Sequence, residues 1–278
     1  MDVNKNSYTF GFAAIMVIVV AVILSGTSII LKDAQYSNVE LEKKQNILRS
    51  VGVNVNRDQA AIEYPIYVKE ELVLNHLGEI INNLSAFDVE LSKEVKKSIV
   101  EDDQNIPLEE RTSLLPLYIS EVEVETKYII PLRGKGLWGP IWGFISFNDD
   151  LNTVFAAVFD HKAETPGLGA EINKSFFQDT FQGKTIFEEG KFVSIFVQKG
   201  GANGDTHKVD GISGGTITSD GVTDMLNERL KRYLPYFRLM EDNKEETRKE
   251  KEVSAAMQAI NIDEKRDTTS NIGKREID

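Results

Sequence analysis

The chain has 278 residues, 41% of them hydrophobic, enough for one membrane segment and a soluble domain with its own core. A net charge of −12 argues against a nucleic-acid partner, which needs a basic surface to displace counterions from phosphates. Cysteine is absent, which excludes disulfides, thiolate-ligated iron–sulfur clusters, cysteine nucleophiles and a lipidated-cysteine anchor; if the chain handles electrons, an organic cofactor must do it.

Phe12 to Leu31, FAAIMVIVVAVILSGTSIIL, runs twenty residues without a charge. At about 1.5 Å per helical residue it spans roughly the 30 Å hydrocarbon core, so 12–31 is predicted as a transmembrane helix. Tyr8 and Phe10 sit at interfacial positions, and Lys5 and Lys32 bracket the run. A cleaved signal peptide would show a shorter apolar stretch, a more basic start and an A-x-A site. Lys5 favours an N-terminus on the inside, whereas Lys32, Lys43 and Lys44 oppose it, so charge alone leaves the topology open.

Residues 32–117 read as a helical stalk and insertion. Asn38–Val53 carries Leu41, Ile47 and Leu48 on one side, a helix that lifts the following domain off the bilayer. A second helix is predicted over Lys69–Leu84 from the density of Leu72, Leu74, Leu77, Ile80, Ile81 and Leu84. Phe87–Leu117 is acidic and uneven, a helical or loop insertion.

From Tyr118 the pattern turns to strands. Val122 and Val124 alternate with Glu121, Glu123 and Glu125, and Tyr128–Leu132, Trp142–Phe147, Val154–Phe159, Thr185–Phe187 and Phe192–Val197 continue the series. With helices predicted around Ala170–Gln178 and Val222–Phe237, residues 118–237 form an α+β domain with a mixed or antiparallel sheet. Residues 238–278 are densely charged and poor in large apolar side chains, the composition of a disordered tail or a frayed helix.

Asp210–Val222, DGISGGTITSDGV, places hydroxyls on a glycine-rich loop that leads straight into a helix. Gly211, Gly214 and Gly215 let backbone amides approach an anion, and the helix N-terminus adds unpaired N–H groups and the positive end of its dipole. Ser219 or Asp220 can cap that helix. Any of Ser213, Thr216, Thr218 and Ser219 can carry a phosphate. On spacing alone the segment also reads as a simple turn, since neither GxxxxGK[ST] nor a strand-borne GxGxxG is present.

Four segments nevertheless carry a resemblance. Asp210 to Thr216 resembles the flavinylation motif of the FMN-binding domain family, with Gly215 standing where that family usually has alanine. Gly134–Gly143 (GKGLWGPIWG), His161–Ala170 (HKAETPGLGA) and the post-membrane EKKQNIL resemble segments of the C subunits of sodium-translocating NADH:quinone reductases, members of that family. The likeness covers roughly 5–55 and 118–237. It implies FMN held covalently as a phosphoester on Thr216. Ser213, Gly214, Gly215 and Thr218 would surround the phosphate, Thr165, Leu168 and Gly169 the ring or ribityl chain. Asp210 would belong to the sequence recognised by a flavin transferase that takes FMN from FAD. By the same resemblance, the chain relays electrons among the other subunits of a membrane NADH:quinone reductase. Residues 1–11 would be cytoplasmic, the anchor would lie in the bacterial inner membrane, and the soluble domain would be periplasmic.

Two other readings share these residues: the G subunit of an Rnf-type ferredoxin:NAD oxidoreductase, and a membrane-tethered binding domain without cofactor. His76, His161 and His207 are widely separated and lack metal-ligand spacing, so no metal site is expected. Asp102-Asp103 and Asp149-Asp150 read as surface charge rather than a glycosidase pair. Ser213 has no GxSxG elbow.

Overall fold

The computed structural model describes residues 6–252. Helix α1 runs from Asn6 to Arg49, 44 residues without a break. The two helices predicted over 12–31 and 38–53 are therefore one rod of roughly 66 Å. Nothing between Lys32 and Ser37 interrupts it, because that stretch holds neither glycine nor proline. Apolar side chains such as Ile15, Ile23 and Ile30 are exposed along its first half, while Ile47 and Leu48 in its last turn are fully buried. Ser146 Oγ donates to the carbonyl of Ser50 just beyond the helix, tying the rod to the sheet.

Helix α2, Arg57–Tyr67, begins with a reciprocal capping box in which Asn56 accepts from Gln59 N–H and Gln59 accepts from Asn56 N–H. The helix predicted over 69–84 is a misreading. Val68–Leu74 is strand β1, with Leu72 and Leu74 opposite Leu117 and Leu115. Pairing with a neighbour outweighs the local apolar density. Asn75 then closes a turn by accepting from the amides of Leu77 and Glu79. The acidic insertion contributes helix α3, Leu91–Asp103.

Strands β2 (Leu115–Val122), β3 (Glu125–Lys135), β4 (Pro140–Phe147) and β5 (Val154–His161) complete an antiparallel sheet in the order β1-β2-β3-β4-β5. The strand predicted to continue through Val124 instead reverses there. Glu123 and Val124, at φ 52° and 71°, are the two central residues of the β2–β3 hairpin. Alternation cannot distinguish a strand from a tight turn between two strands.

After β5 come a 3₁₀ turn at Gly169–Asn173 and the short helix α4, Ser175–Gln178, where the sequence predicts a single helix. Strands β6 (Phe187–Glu188) and β7 (Lys191–Phe192) form a small hairpin; β8 (Phe196–Gln198) and β9 (Lys208–Asp210) pair in parallel. The strand predicted over 192–197 is thus split, with Ser194 at φ 65° between the pieces. Helix α5 occupies Thr216–Lys231. A further helix, α6, spans 234–252, so of the two readings of the tail its first part is the helix; residues 253–278 lie outside the described ones.

Both faces of the sheet are covered, which is why its strands read as long apolar runs. Leu132, Ile145, Phe147 and Phe159 pack with Phe177, Phe181 and the Val222, Met225, Leu226 and Leu230 face of α5. On the other side Ile129, Tyr118 and Phe144 pack with Ile47 and Leu48 of α1 and Tyr64 of α2.

Candidate functional site

Three turns meet at one end of the sheet. The first joins β3 to β4. It is closed by Gly136 N–H donating to Gly139 O at 2.8 Å, and it leaves Leu137 and Trp138 exposed. The second follows β5. Leu168 N–H and Ala170 N–H both donate to Thr165 O at 3.1 Å, and Gly167 N–H donates to Glu171 Oε1 at 2.9 Å. Thr165 and Leu168 are exposed on this turn and Gly169 is buried beneath them.

The third runs from β9 into α5. Gly211 N–H donates to Gln198 O at 2.9 Å and Gly215 N–H to Ile212 O at 3.0 Å. Gly214 adopts φ +74°, a conformation that glycine accepts without strain. A β-carbon there would stand 2.5 Å from Leu168 Cδ2, so the second and third turns touch. Gly169 N likewise lies 3.3 Å from the β-carbon position of Gly215.

Helix α5 starts six residues before the predicted Val222, with Gly215 as its N-cap and Thr216 as its first residue. Neither Ser219 nor Asp220 caps it. Ser219 Oγ instead accepts from Ile212 N–H at 3.2 Å and locks the loop from below. The first helical bond runs from Ser219 N–H to Gly215 O at 2.9 Å. The amides of Thr216, Ile217 and Thr218 precede the helical ladder, which is what an anion at a helix N-terminus uses.

The four hydroxyls separate by environment. Ser213 and Thr216 are exposed, whereas Thr218 and Ser219 are buried at 1% and 3% exposure. The Thr218 hydroxyl donates to Glu164 Oε2 at 2.6 Å. It is spent inside the protein, unlike that of Thr216. Asp210 is exposed at the end of β9, and its Oδ1 accepts from Ala202 N–H.

Glu164 is the residue that sequence reasoning passed over, although it stands inside the HKAETPGLGA segment. It is only 5% exposed, and its other oxygen accepts from Trp138 N–H at 2.8 Å. The histidines have structural roles. His161 Nδ1 accepts from Glu164 N–H at 3.2 Å, and His207 Nδ1 lies 2.7 Å from Thr185 O. Among the described residues no group of three or more His, Asp or Glu side chains is placed to hold a metal.

The arrangement suits a phosphorylated aromatic ligand. Thr216 offers an accessible hydroxyl beside free amides, and Leu137, Trp138, Leu168 and Ile217 present exposed apolar surface on the surrounding turns. Residues 136–231, which hold all three, match the FMN-binding domain family. The C subunit of the Na+-translocating NADH-quinone reductase of Vibrio alginolyticus is 35% identical over 231 residues, covering 80% of this chain and 90% of that one. The corresponding C subunit of Haemophilus ducreyi is 29% identical over 226 residues, covering 79% and 88%. Among solved structures, the C subunit of the Parabacteroides distasonis reductase superposes with a TM-score of 0.66 at 39% identity, over 74% of this chain and 96% of that one. The Shewanella oneidensis NqrC shares the fold, with a TM-score of 0.59 at 23% identity over 73% and 98%. The chain belongs to the family of C subunits of Na+-translocating NADH-quinone reductases.

Proposed function

We propose that this chain is the electron-carrying C subunit of a Na+-translocating NADH-quinone reductase and works through FMN joined to Thr216 by a phosphoester. The observation that carries the attachment site is the contrast between the two threonines of the first turn of α5. Thr216 is exposed at the first helical position, and Thr218 is buried with its hydroxyl donated to Glu164.

A phosphate on Thr216 is stabilised by the amides ahead of the helical ladder and by the helix dipole. Gly214 and Gly215 keep side chains away from it, and Ser213 adds an exposed hydroxyl on the same loop. Leu168, Thr165 and Gly169 form the wall toward the ring and ribityl chain, and the exposed Trp138 and Leu137 extend its apolar surface. When bound, the flavin supplies the electron-transfer chemistry; the chain supplies attachment, orientation and electrostatics. A flavin transferase would deliver FMN from FAD with Asp210 in its recognition sequence. Helix α1 would fix the domain to the periplasmic face of a bacterial inner membrane, beside the other subunits of the reductase.

The test is the intact mass of the full chain co-expressed with a flavin transferase. One FMN phosphoester is expected on the wild type and none on Thr216→Ala. Retention of the added mass in Thr216→Ala, with a flavinylated peptide mapping to Ser213 or Thr218, would overturn the assignment.

A further inference from the structure

Glu164 is an acidic side chain buried at the meeting point of three exposed turns. Its Oε1 accepts from Trp138 N–H at 2.8 Å and its Oε2 from the Thr218 hydroxyl at 2.6 Å. Its own amide donates to His161 Nδ1 at 3.2 Å. One residue thereby joins the β3–β4 turn, the turn after β5 and the first turn of α5. Both carboxylate partners are neutral donors, the pattern that satisfies an ionised, acceptor-only carboxylate.

The backbone closes tightly around this group. A β-carbon on Gly136 would stand 2.6 Å from Oε1; one on Gly169 would stand 2.5 Å from Oε2 and 2.3 Å from Thr218 Oγ1. Glycine at both positions lets two turns approach one carboxylate from opposite sides. Burying a charge is costly unless its hydrogen bonds are made, so the position of the carboxylate and the shape of the turns determine each other.

We propose that Glu164 is the positioning residue of the flavin seat. It withdraws the Thr218 hydroxyl from the acceptor loop, holds the Trp138 turn in register with Leu168 and Gly214, and keeps a negative charge among the segments that hold the cofactor. This rests on the reading of Thr216 as the FMN attachment site. It adds what fixes the ring once the tether has formed, because a phosphoester alone leaves the isoalloxazine free to swing.

The full chain in detergent, flavinylated by co-expression with a transferase, tests it with three readouts: intact mass, flavin visible circular dichroism with fluorescence anisotropy, and flavin midpoint potential. Glu164→Ala is expected to keep the FMN mass while its anisotropy falls roughly to half and its visible dichroism collapses, as for a ring moving on the nanosecond scale. In Glu164→Gln the amide oxygen still accepts from Trp138 and its NH₂ donates to a rotated Thr218 hydroxyl. That variant is expected to recover wild-type dichroism and anisotropy with a raised midpoint potential, since removing a negative charge favours the reduced flavin.

Thr218→Val cuts one tie and is expected to give an intermediate anisotropy; it carries the test of the tie if Glu164→Ala does not fold. Wild-type dichroism and anisotropy in a flavinylated Glu164→Ala, or in Thr218→Val, would overturn the positioning role. An unshifted potential in Glu164→Gln would overturn the electrostatic one. Absence of the FMN mass from the wild type is a different failure, since it removes the Thr216 reading and the proposal that depends on it.

Discussion

Gly214 and Leu168 interlock: the glycine sits at φ +74°, and the space its missing side chain would fill is occupied by Leu168 Cδ2, 2.5 Å from the ideal β-carbon. Gly214→Ala therefore carries two penalties. The left-handed backbone costs an L-residue about 1–2 kcal/mol, and Leu168 must swing off the loop. The expected result is a lower melting temperature and a reduced flavinylated fraction by intact mass. Gly215 is the contrast, with φ −106° and a β-carbon position 3.0 Å from Ile212 Cγ2. Gly215→Ala needs a few tenths of an ångström from Ile212 and from the backbone at Gly169, less than Gly214→Ala demands, and should cost about 1 kcal/mol as a weaker N-cap, with attachment intact. Equal losses in both variants would show that the loop does not depend on the positive φ.

Gly221 decides how closely α5 approaches the sheet. A β-carbon there would lie 2.3 Å from the carbonyl oxygen of Lys135 at the end of β3, and a backbone atom cannot rotate away. Alanine favours the helix by about 1 kcal/mol, but overpacking costs about 1–3 kcal/mol and shifts the helix. Gly221→Ala is expected to be net destabilising in thermal melts and, because Thr216 rides on the same helix, to lower flavin attachment as well. A melting temperature equal to or above the wild type would mean that the contact relaxes without cost.

The long apolar helix was legible because twenty uncharged residues need no tertiary partner to be recognised. The three glycine-bearing turns were legible because their backbone requirements are local. Other features depend on contacts distant in sequence. Val68–Leu74 became an edge strand only through its pairing with Leu115–Val122. The start of α5 was hidden because its cap is Gly215, without a side-chain signal, while Ser219, a good cap by composition, is used to hold Ile212 N–H. Glu164 is not legible in the sequence because its hydrogen-bond partners stand 26 and 54 residues away. Its one sequence signal is its place beside Thr165 in HKAETPGLGA.

A buried polar chain joins the insertion to the turn after β1. His76, 2% exposed, lies 2.6 Å through Nε2 from Ser113 Oγ, which donates to Glu101 Oε2 at 2.5 Å. Since Ser113 donates onward, His76 Nε2 carries the proton and is the donor. Burial, then the positive charge of Arg232 with Arg111 and Arg229, pushes the imidazole from 6.5 down to about 4, against the attraction of Glu101. A base with a depressed folded pKa is neutral in the native state while the unfolded chain binds the proton. Stability is therefore full above about pH 6.5 and lost as pH falls toward 4. At about 1.4 kcal/mol per unit the loss is on the order of 3 kcal/mol. The denaturation midpoint of the full chain in detergent is expected to fall over this window, and to fall less in His76→Gln. Parallel pH profiles for the two proteins would assign acid sensitivity to other groups, Glu101 first.

Arg229 adds to that depression while gaining little itself. It is 2% exposed on α5, its Nη1 reaches Ser98 Oγ at 3.3 Å, and Nε and Nη2 have no hydrogen-bond partner among the described residues. The nearby carboxylate of Asp102 is taken by Arg111 at 2.6 Å and by Arg232. A guanidinium desolvated with a single neutral acceptor costs more than a hydrophobic side chain of similar length, and replacing buried ionic groups by apolar ones is often neutral or stabilising by about 1–4 kcal/mol. Arg229→Met is expected to leave the denaturation midpoint unchanged or raise it at neutral pH. It should also narrow the acid window, because one of the charges opposing protonation of His76 is gone. A midpoint lowered by more than about 1 kcal/mol would show that the bond to Ser98 and the packing of the side chain outweigh the burial of its charge.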